Sequence, residues 1–434
     1  MKASALYRLP ACLLGLALAA CGGSGGGGSN ADECSIGAQN QAVYATMQQW
    51  YFWYQELPEL DPTTFQSPEA LLEALRFAPL DRFSYLTTQA EEEALFGASQ
   101  FVGFGFRSVA ADGAQIASDV FEGGPADGAG LVRGSRILAV DGVPIGTVLA
   151  TPGGFSGALG PAEVGYEVTL EFRNPDGAEF VETLSKEVVT IPPVTAVSIL
   201  DIGGDMTGYL VFRNFVEPGV AALDAAFAEF RAAGVTRLIV DLRYNGGGLI
   251  SVLEHFANLL GSRIAPGMPF VSYEFNDKSS HLNDTFLIRS APLPDALQLE
   301  RLVMITTGGT ASAAEMLVNG MPPYVTAVTV GSKTFGKPVG QFGFQFCEKV
   351  LRPVTFRTIN ALGVTDFFDG LPADCAAQDT LEVPFGTAGE ASFDTAVFWL
   401  RHGFCPATAE ELVQPQSVPD EAQERLQWSV NDAL

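Results

Sequence analysis

Residues 237–248 read Arg-Leu-Ile-Val-Asp-Leu-Arg-Tyr-Asn-Gly-Gly-Gly, an apolar run that ends in a glycine-rich turn. The run predicts a buried β-strand, and the glycines predict a sharp change of chain direction after it. Residues 218–232, just before it, begin with proline and have the apolar spacing of a helix. Strand and helix patterns alternate in this way across residues 191–410, which predicts a mainly parallel α/β core. The other predicted strands are 208–212, 302–306 and 326–330.

Polar residues suited to chemistry follow the ends of these predicted strands. Asn245 and three glycines follow one strand, Ser312 follows another, and Lys337 follows the last. Ligands of parallel α/β cores lie at the carboxyl ends of the strands. We therefore expect these residues to meet at one site.

Ser312 and Lys337 are the candidate nucleophile and base of that site. A serine hydroxyl at its free pKa is a weak nucleophile and needs a base. The three histidines, His255, His281 and His402, lie outside the glycine-rich turns that follow the predicted strands. A lysine in a dry pocket loses its proton more readily and can replace histidine. The pair indicates acyl transfer, most simply peptide hydrolysis, whereas each residue taken alone also fits a helix N-cap or a solvated loop lysine.

Residues 101–190 change character, with alternating strand patterns and frequent turn signals. The block resembles a PDZ domain through its Gly103-Phe104-Gly105-Phe106 run and through the downstream segments 118–131 and 134–144. The resemblance implies that amides freed by Gly103 and Gly105 grip a peptide carboxylate, with the next strand accepting the peptide by edge addition. Phe104 and Phe106 would then line the pocket for the terminal apolar side chain. A small β-domain without a ligand is the alternative.

The start of the chain predicts export. Basic Lys2 and Arg8 precede a short apolar run, and residues 1–20 have the pattern of a signal peptide. Leu-Ala-Ala-Cys at 18–21 resembles a bacterial lipobox, which implies that Cys21 is lipidated and that the protein faces the periplasm from a membrane. Glycine rather than aspartate after Cys21 favours the outer membrane. Residues 21–34 hold this cysteine and a Gly/Ser tether, 35–100 are expected to be helical, and 411–434 form a C-terminal tail.

Composition fits an exported globular protein. The 434 residues carry a net charge of −26, which becomes −28 once Lys2 and Arg8 leave with the signal. Such a chain has no electrostatic reason to bind nucleic acid or anionic lipid, so any membrane attachment must come from the lipid.

Cysteine usage also predicts an oxidising compartment. Four cysteines remain once Cys12 has left with the signal and Cys21 is acylated, and an even number predicts two disulfides. Three pairings are possible, and we favour Cys347–Cys375 together with Cys34–Cys405, which would join the two ends of the mature chain. The cysteine spacings lack the short paired intervals of a zinc site, and no metal is expected.

Three motifs together resemble the C-terminal processing peptidases, also called tail-specific proteases. Asp241-Leu-Arg-Tyr-Asn-Gly-Gly-Gly248 resembles the family's Asp-Leu-Arg-x-Asn-x-Gly-Gly, and Ala311-Ser312-Ala313 resembles its nucleophile segment. Gly336-Lys337 with Gln341 four residues on resembles its lysine and glutamine. Pro338 departs from the glycine that many relatives carry after the lysine. The resemblance covers nearly the whole mature chain and implies a helical lead, an inserted PDZ domain and a crotonase- or Clp-protease-like α/β core.

The resemblance also implies roles for the site residues. Ser312 would attack the scissile carbonyl, Lys337 would act as base and then acid, and Gln341 would hold the lysine amine. Four residues make about one helical turn, so a helix beginning at the lysine would place both side chains on one face. The oxyanion hole would use the amide of Ala313 and that of Gly247 or Gly248, and the sequence does not decide between these glycines. Asp241 and Arg243 are interpreted as a structural pair that stabilises the glycine turn.

The expected function is that of a cell-envelope serine endopeptidase that captures C-terminal tails through its PDZ domain. No cofactor is required, and an activating or adaptor protein is compatible with this prediction. The first alternative is a catalytically idle, peptide-binding scaffold on the same fold. A thioester or acyl-CoA enzyme of the crotonase type is weaker, because the sequence offers no nucleotide pocket and predicts export.

Overall fold

The computed structural model describes residues 34–111 and 113–407. The predicted signal peptide, Cys21, most of the tether and the tail 411–434 lie outside these residues. Within the described part, no helix has both the length and the apolarity that a bilayer crossing requires.

An N-terminal segment packs against the later strands of the chain. Helix α1 (Ile36–Trp50) is capped by Ser35, and α2 (Pro68–Leu75) is capped by Ser67 with proline at its first turn. Strand β1 (Tyr85–Thr88) interrupts the expected helical region because it pairs with a strand formed more than 260 residues later. Helix α3 (Gln89–Glu92) and the π-helical turn Glu93–Gly97 complete the segment.

A β-rich unit is inserted between this segment and the α/β core. Its strands are β2 (Gln100–Gly103), β3 (Phe106–Ala111), β4 (Ala114–Val120), β5 (Arg136–Val140), β6 (Val143–Pro144), β7 (Glu167–Arg173), β8 (Glu179–Ser185) and β9 (Glu187–Thr190). Strands β3, β4, β5, β7 and β8 form an antiparallel sheet in that order, and β6 pairs with β5. Strands β2 and β9 pair at the two ends of the insertion, which closes it into a unit with its own apolar core. Its helices are α4 (Pro125–Gly128), α5 (Ile145–Leu149) and α6 (Gly154–Ala158).

The remaining residues form the mixed α/β core. Its strands are β10 (Val194–Ile202), β11 (Asp205–Phe212), β12 (Arg237–Asp241), β13 (Pro269–Phe275), β14 (Asp284–Leu287), β15 (Arg301–Thr306), β16 (Thr326–Gly331), β17 (Val339–Gln341), β18 (Phe344–Phe346), β19 (Lys349–Arg352), β20 (Val354–Asn360) and β21 (Cys375–Ala376). Its helices are α7 (Pro218–Ala232), α8 (Ile250–Gly261), α9 (Ala313–Gly320) and α10 (Ala391–His402).

The central sheet has the order β10-β11-β12-β15-β16-β21 and is parallel except at β10. Alternate residues of each strand enter different apolar layers, as the period of two requires. Leu238 and Val240 pack with α7, α8 and α9, whereas Ile239 packs with α10. The predicted mainly parallel α/β core is confirmed.

Two smaller sheets flank this core. One has the order β14-β13-β20-β17, and the other has the order β1-β19-β18. Val339, Leu351 and Val354 from these sheets pack with Met47 and Phe83 of the N-terminal segment. The N-terminal segment is therefore built against the part of the chain that follows Lys337.

The chain forms two disulfides, the number that was expected, but the favoured pairing is wrong. Cys34 pairs with Cys347, and Cys375 pairs with Cys405. The Cα atoms of the two pairs lie 5.8 and 5.3 Å apart, within the reach of a disulfide. The pairing differs because Cys347 lies at the tip between β18 and β19, next to the start of α1, whereas Cys375 lies at the edge of the central sheet beside the end of α10.

Candidate active site

The glycine turn after β12 lies directly against Ser312. A Cβ added to Gly247 would lie 2.8 Å from the Cβ of Ser312 and 2.8 Å from the amide nitrogen of Ala313, and Gly247 has φ +98°. Only glycine fits such an approach and such a backbone angle. The structure thus brings the turn and the serine segment together.

The two candidate glycine amides differ in their surroundings. The amide of Gly247 donates to Oδ1 of Asn245 at 2.9 Å. The neighbours of Gly248 form the bonds to Phe215, since the Phe215 amide donates to the Gly247 carbonyl and the Leu249 amide donates to the Phe215 carbonyl. In such a parallel bridge the amide of Gly248 points to the opposite side. The geometry therefore favours Gly248 as the donor for an oxyanion.

Ser312 has an unusual backbone conformation at the start of a helix. Its φ and ψ are 55° and −118°, and α9 begins at the next residue, Ala313. A positive φ in a residue other than glycine is sparsely populated and tends to occur at functional sites. Ser312 is 9% exposed, and the positive end of the α9 dipole lies beside it. A negative charge that develops near this serine would be stabilised by the helix start.

Lys337 is buried, as a lysine base requires. It is 4% exposed, and its Nζ donates to Oε1 of Gln341 at 2.5 Å. Burial lowers the pKa of Lys337 from 10.5 to about 7, and the positive charge of Arg352 acts in the same direction. At neutral pH a large share of this amine is uncharged and able to accept a proton.

Gln341 meets Lys337, but not through a helix. Residues 337–341 run from a loop into β17, so the expected helical spacing is wrong. Nε2 of Gln341 donates to the carbonyl oxygens of Phe83 at 2.7 Å and Arg352 at 2.6 Å. These two acceptors fix the orientation of the amide, and its Oε1 is left to receive the lysine amine.

Glu315 joins the serine and lysine segments, a role that the sequence interpretation missed. Its Oε2 accepts from the amides of Ser312 at 3.0 Å and Lys337 at 2.7 Å. The two amide nitrogens therefore lie within about 6 Å of each other. Its Oε1 accepts from Thr334 Oγ1 at 2.6 Å and from the Gly336 amide at 2.7 Å. The signal available in the sequence was the capping-box spacing of Ser312-Ala-Ala-Glu315. The structure adds that this glutamate is completely buried.

Asp241 and Arg243 form a buried ionic cluster below the glycine turn. Arg243 Nη2 lies 2.6 Å from Asp241, and its Nη1 lies 2.8 Å from both Asp379 and Glu390. The side chains of Asp241, Arg243 and Glu390 are wholly buried. These contacts hold the chain that leads into Asn245 and the glycines.

The glycine–aromatic run of the inserted unit extends from Gly103, the last residue of β2, to Phe106, the first residue of β3. The Phe104 carbonyl accepts from the Ala126 amide, and the Gly105 carbonyl accepts from the Phe121 amide, both at 2.8 Å. Phe104 and Phe106 are each 3% exposed and pack in the unit's apolar core, where Phe106 lies 6.4 Å from the Phe155 ring on α6. Both aromatic residues are thus buried in this conformation. Gly103 ends β2 and pairs with Glu187 of β9.

Within 34–111 and 113–407, no three His, Cys, Asp or Glu side chains are grouped as ligands of a metal ion.

Comparison with known proteins identifies relatives of this chain. Residues 206–368 match the model of peptidase family S41, and residues 38–85 match the model of the peptidase S41 N-terminal domain. A carboxyl-terminal-processing protease of Synechocystis sp. is 28% identical over 228 residues, or 52% of this chain and 50% of that protein. A chloroplastic C-terminal processing peptidase of Tetradesmus obliquus is 28% identical over 50% of this chain and 46% of that protein. The chain spans about half the length of the curated relatives it matches.

Solved structures show the same fold. An S41 protease structure from Bacteroides fragilis is similar with a TM-score of 0.66 and 23% identity, over 83% of this chain and 96% of that one. The photosystem II D1 C-terminal processing protease has a TM-score of 0.50 and 20% identity, over 79% of this chain and 93% of that one. At these identities the similarity concerns the fold alone.

Proposed function

Because this chain belongs to peptidase family S41, we propose that it is a serine endopeptidase with Ser312 as nucleophile and Lys337 as general base. The observation that carries the proposal is the shared carboxylate oxygen of Glu315, which holds the amides of both residues. A nucleophile and a buried amine with a lowered pKa are the two components that acyl transfer requires.

The proposed reaction uses these groups in two stages. Lys337 removes the proton of the Ser312 hydroxyl as the oxygen attacks the scissile carbonyl, and the amides of Gly248 and Ala313 donate to the developing oxyanion. The protonated lysine then gives its proton to the leaving amine, which leaves an ester on Ser312. Water, activated by the same lysine, hydrolyses the ester and frees the serine. Gln341 keeps the amine in place through both stages.

The inserted unit is proposed to act as a PDZ domain that captures C-terminal tails. Among the described residues, β3 pairs only with β4, so its other edge is available for an added peptide strand. Gly103 and Gly105 would bring amides to the tail carboxylate. Phe106 packs against Phe155 of α6 and Phe104 lies in the same apolar core, so insertion of an apolar terminal side chain would need that helix to move.

The proposed location is the cell envelope. Lipidation at Cys21 would anchor the chain, with the outer membrane favoured, and the body would face the periplasm. Two disulfides support an oxidising compartment. Substrates would be unstructured proteins or proteins with exposed C-termini, and an activating or adaptor protein would fit such an arrangement.

The first test compares the mature chain with Ser312→Ala on an unstructured protein substrate. We expect cleavage by the wild type and none by Ser312→Ala, while peptides that end in a free carboxylate bind both proteins equally. Ser332→Ala removes a hydroxyl from an exposed serine and should cleave as the wild type does. If the wild-type protein bound tails but cut nothing, the peptidase proposal would be refuted in favour of the peptide-binding scaffold.

A further inference from the structure

The hairpin of β18 and β19 connects the Cys34–Cys347 disulfide to the lysine site. Cys347 lies at the tip of the hairpin and has φ +52°. Cys34 is exposed and lies two residues before α1, whose N-cap is Ser35. The disulfide therefore joins the hairpin tip to the beginning of the described chain, across 313 residues of sequence.

The base of this hairpin supports the lysine in two ways. The Arg352 carbonyl at the end of β19 accepts from Nε2 of Gln341 at 2.6 Å, and Gln341 in turn accepts from Lys337. The Arg352 guanidinium, paired with Glu92 at 2.6 Å, adds positive charge near the amine. Both effects depend on where β19 lies.

The hairpin itself is short. Strand β18 has three residues and β19 has four, and β1 is the third strand of their sheet. A short hairpin is marginally stable by itself and gains order from whatever holds it in place. The covalent bond to Cys34 restricts the tip, which lies at the opposite end of β19 from Arg352.

We propose that the Cys34–Cys347 disulfide is a redox-controlled support that holds Arg352 and Gln341 in position around Lys337. The inference rests on the proposed function, because it concerns the base of that reaction. In the thiol form the hairpin loosens, and the amine becomes better hydrated and more often protonated. The enzyme would thus be weak where thiols are kept reduced and would gain activity after export.

The redox step is an ordinary thiol–disulfide exchange. One cysteine thiolate attacks an external low-molecular-weight disulfide, which releases one thiol and forms a mixed disulfide. The second cysteine then attacks the bonded protein sulfur and expels the second thiol. Two protein thiols are oxidised while one external disulfide is reduced to two thiols.

Charged groups from three different parts of the chain act on the Lys337 amine. Arg352 on β19 favours the neutral amine, whereas Asp81 of the N-terminal segment and Glu315 of α9 favour the protonated form. Moving β19 away would remove the only one of these three that opposes protonation. If the pKa rose from about 7 to about 8, the neutral fraction at pH 7 would fall about fivefold.

The second disulfide supplies a matched control. Cys375–Cys405 joins β21 to the chain after α10, on the central sheet. We expect Cys34→Ala/Cys347→Ala to lower kcat about fivefold at pH 7, with unchanged KM and with a pH–rate midpoint that moves upward. Cys375→Ala/Cys405→Ala should keep the wild-type midpoint. A folded Cys34→Ala/Cys347→Ala variant with wild-type kcat and midpoint would overturn the proposal.

A second measurement tests the proposed support without relying on catalysis. In the Cys375→Ala/Cys405→Ala variant, Cys34–Cys347 is the one remaining disulfide of the described residues, and it can be reduced by dithiothreitol and reformed by oxidised glutathione. The protein therefore folds with this disulfide intact before the disulfide is reduced. NMR titration of isotope-labelled lysine, followed for Lys337, should give a higher pKa in the reduced protein. An unchanged pKa would refute the redox support even if the protein cleaves. A shifted pKa in a protein that never cleaves would keep the support and refute the peptidase.

Discussion

Replacing Lys337 with methionine should abolish cleavage and yet stabilise the protein. Methionine fills a similar volume without a charge, whereas the lysine is 4% exposed and is held near neutrality by burial. The pKa of Lys337 is lowered from 10.5 to about 7 in the folded protein. Folding at pH 7 therefore removes, from about half of the molecules, a proton that the unfolded chain binds firmly.

The magnitude follows from this difference in pKa. At pH 7 the unfolded lysine is almost fully protonated and the folded one about half, which costs about 4 kcal/mol of folding free energy. Methionine has no proton to lose and so does not incur this cost. It leaves Oε1 of Gln341 without its lysine donor, however, which lowers the free energy of unfolding by about 1–3 kcal/mol. We expect Lys337→Met to be more stable than the wild type at pH 7 by about 2 kcal/mol.

The pH dependence gives a sharper test, because the Gln341 contact does not titrate. Between pH 7 and 10.5 the unfolded wild-type chain binds more protons than the folded one, so wild-type stability rises with pH in this window. Lys337→Met lacks this rise, and its advantage should shrink by about 2 kcal/mol between pH 7 and 9.

Chemical denaturation at both pH values measures the effect, with Lys333→Met as the control. Lys333 is exposed, so the same chemical change there should alter stability by less than about 0.5 kcal/mol at either pH. If Lys337→Met showed no advantage at pH 7 and the same pH slope as the wild type, Lys337 would not be a buried amine with a lowered pKa.

Two further predictions concern the groups around the lysine and the serine. Gln341→Glu places a carboxylate against Lys337, which favours the charged amine. The midpoint of the pH–rate profile should therefore move upward from about 7, and a midpoint that stays or falls would contradict the contact between the two side chains. Gly247→Ala should lower kcat by about 100-fold or more. The Cβ of the new alanine would lie 2.8 Å from the Cβ of Ser312 and would displace the glycine turn that presents the Gly248 amide. Gly246→Ala, where an added Cβ meets nothing within 4 Å, should retain near wild-type kcat, and equal losses in both variants would argue against this reasoning.

The order of elements was predictable from local patterns. The helix expected at residues 218–232 is Pro218–Ala232, and the strand expected before the glycine turn is Arg237–Asp241. The strand β1 was missed because its partner β19 lies far along the chain and a four-residue pattern is too short to reveal it. Local apolar spacing predicts elements well only when the element is long enough to repeat its pattern.

The site was predictable in its residue types but not in its geometry. The positions of Ser312 and Lys337 after strand ends indicated a common edge, yet the contact between Lys337 and Gln341 arises without a helix. The carbonyls that orient Gln341 belong to Phe83 and Arg352, one of them 258 residues away in sequence. The disulfide pairing failed for a similar reason, because it depends on which loop tips meet in space.

By itself, the sequence determined the α/β alternation, the inserted β-rich unit, the even set of cysteines and the residue types of the site. Those features reside in short stretches whose apolar spacing and glycine content act through neighbours along the chain. Only the tertiary structure decided that Glu315 joins the two segments, that Gly248 rather than Gly247 presents its amide, and that Lys337 is buried. Amide orientation and lysine pKa are set by groups that folding brings together from distant parts of the chain, and no local pattern contains them.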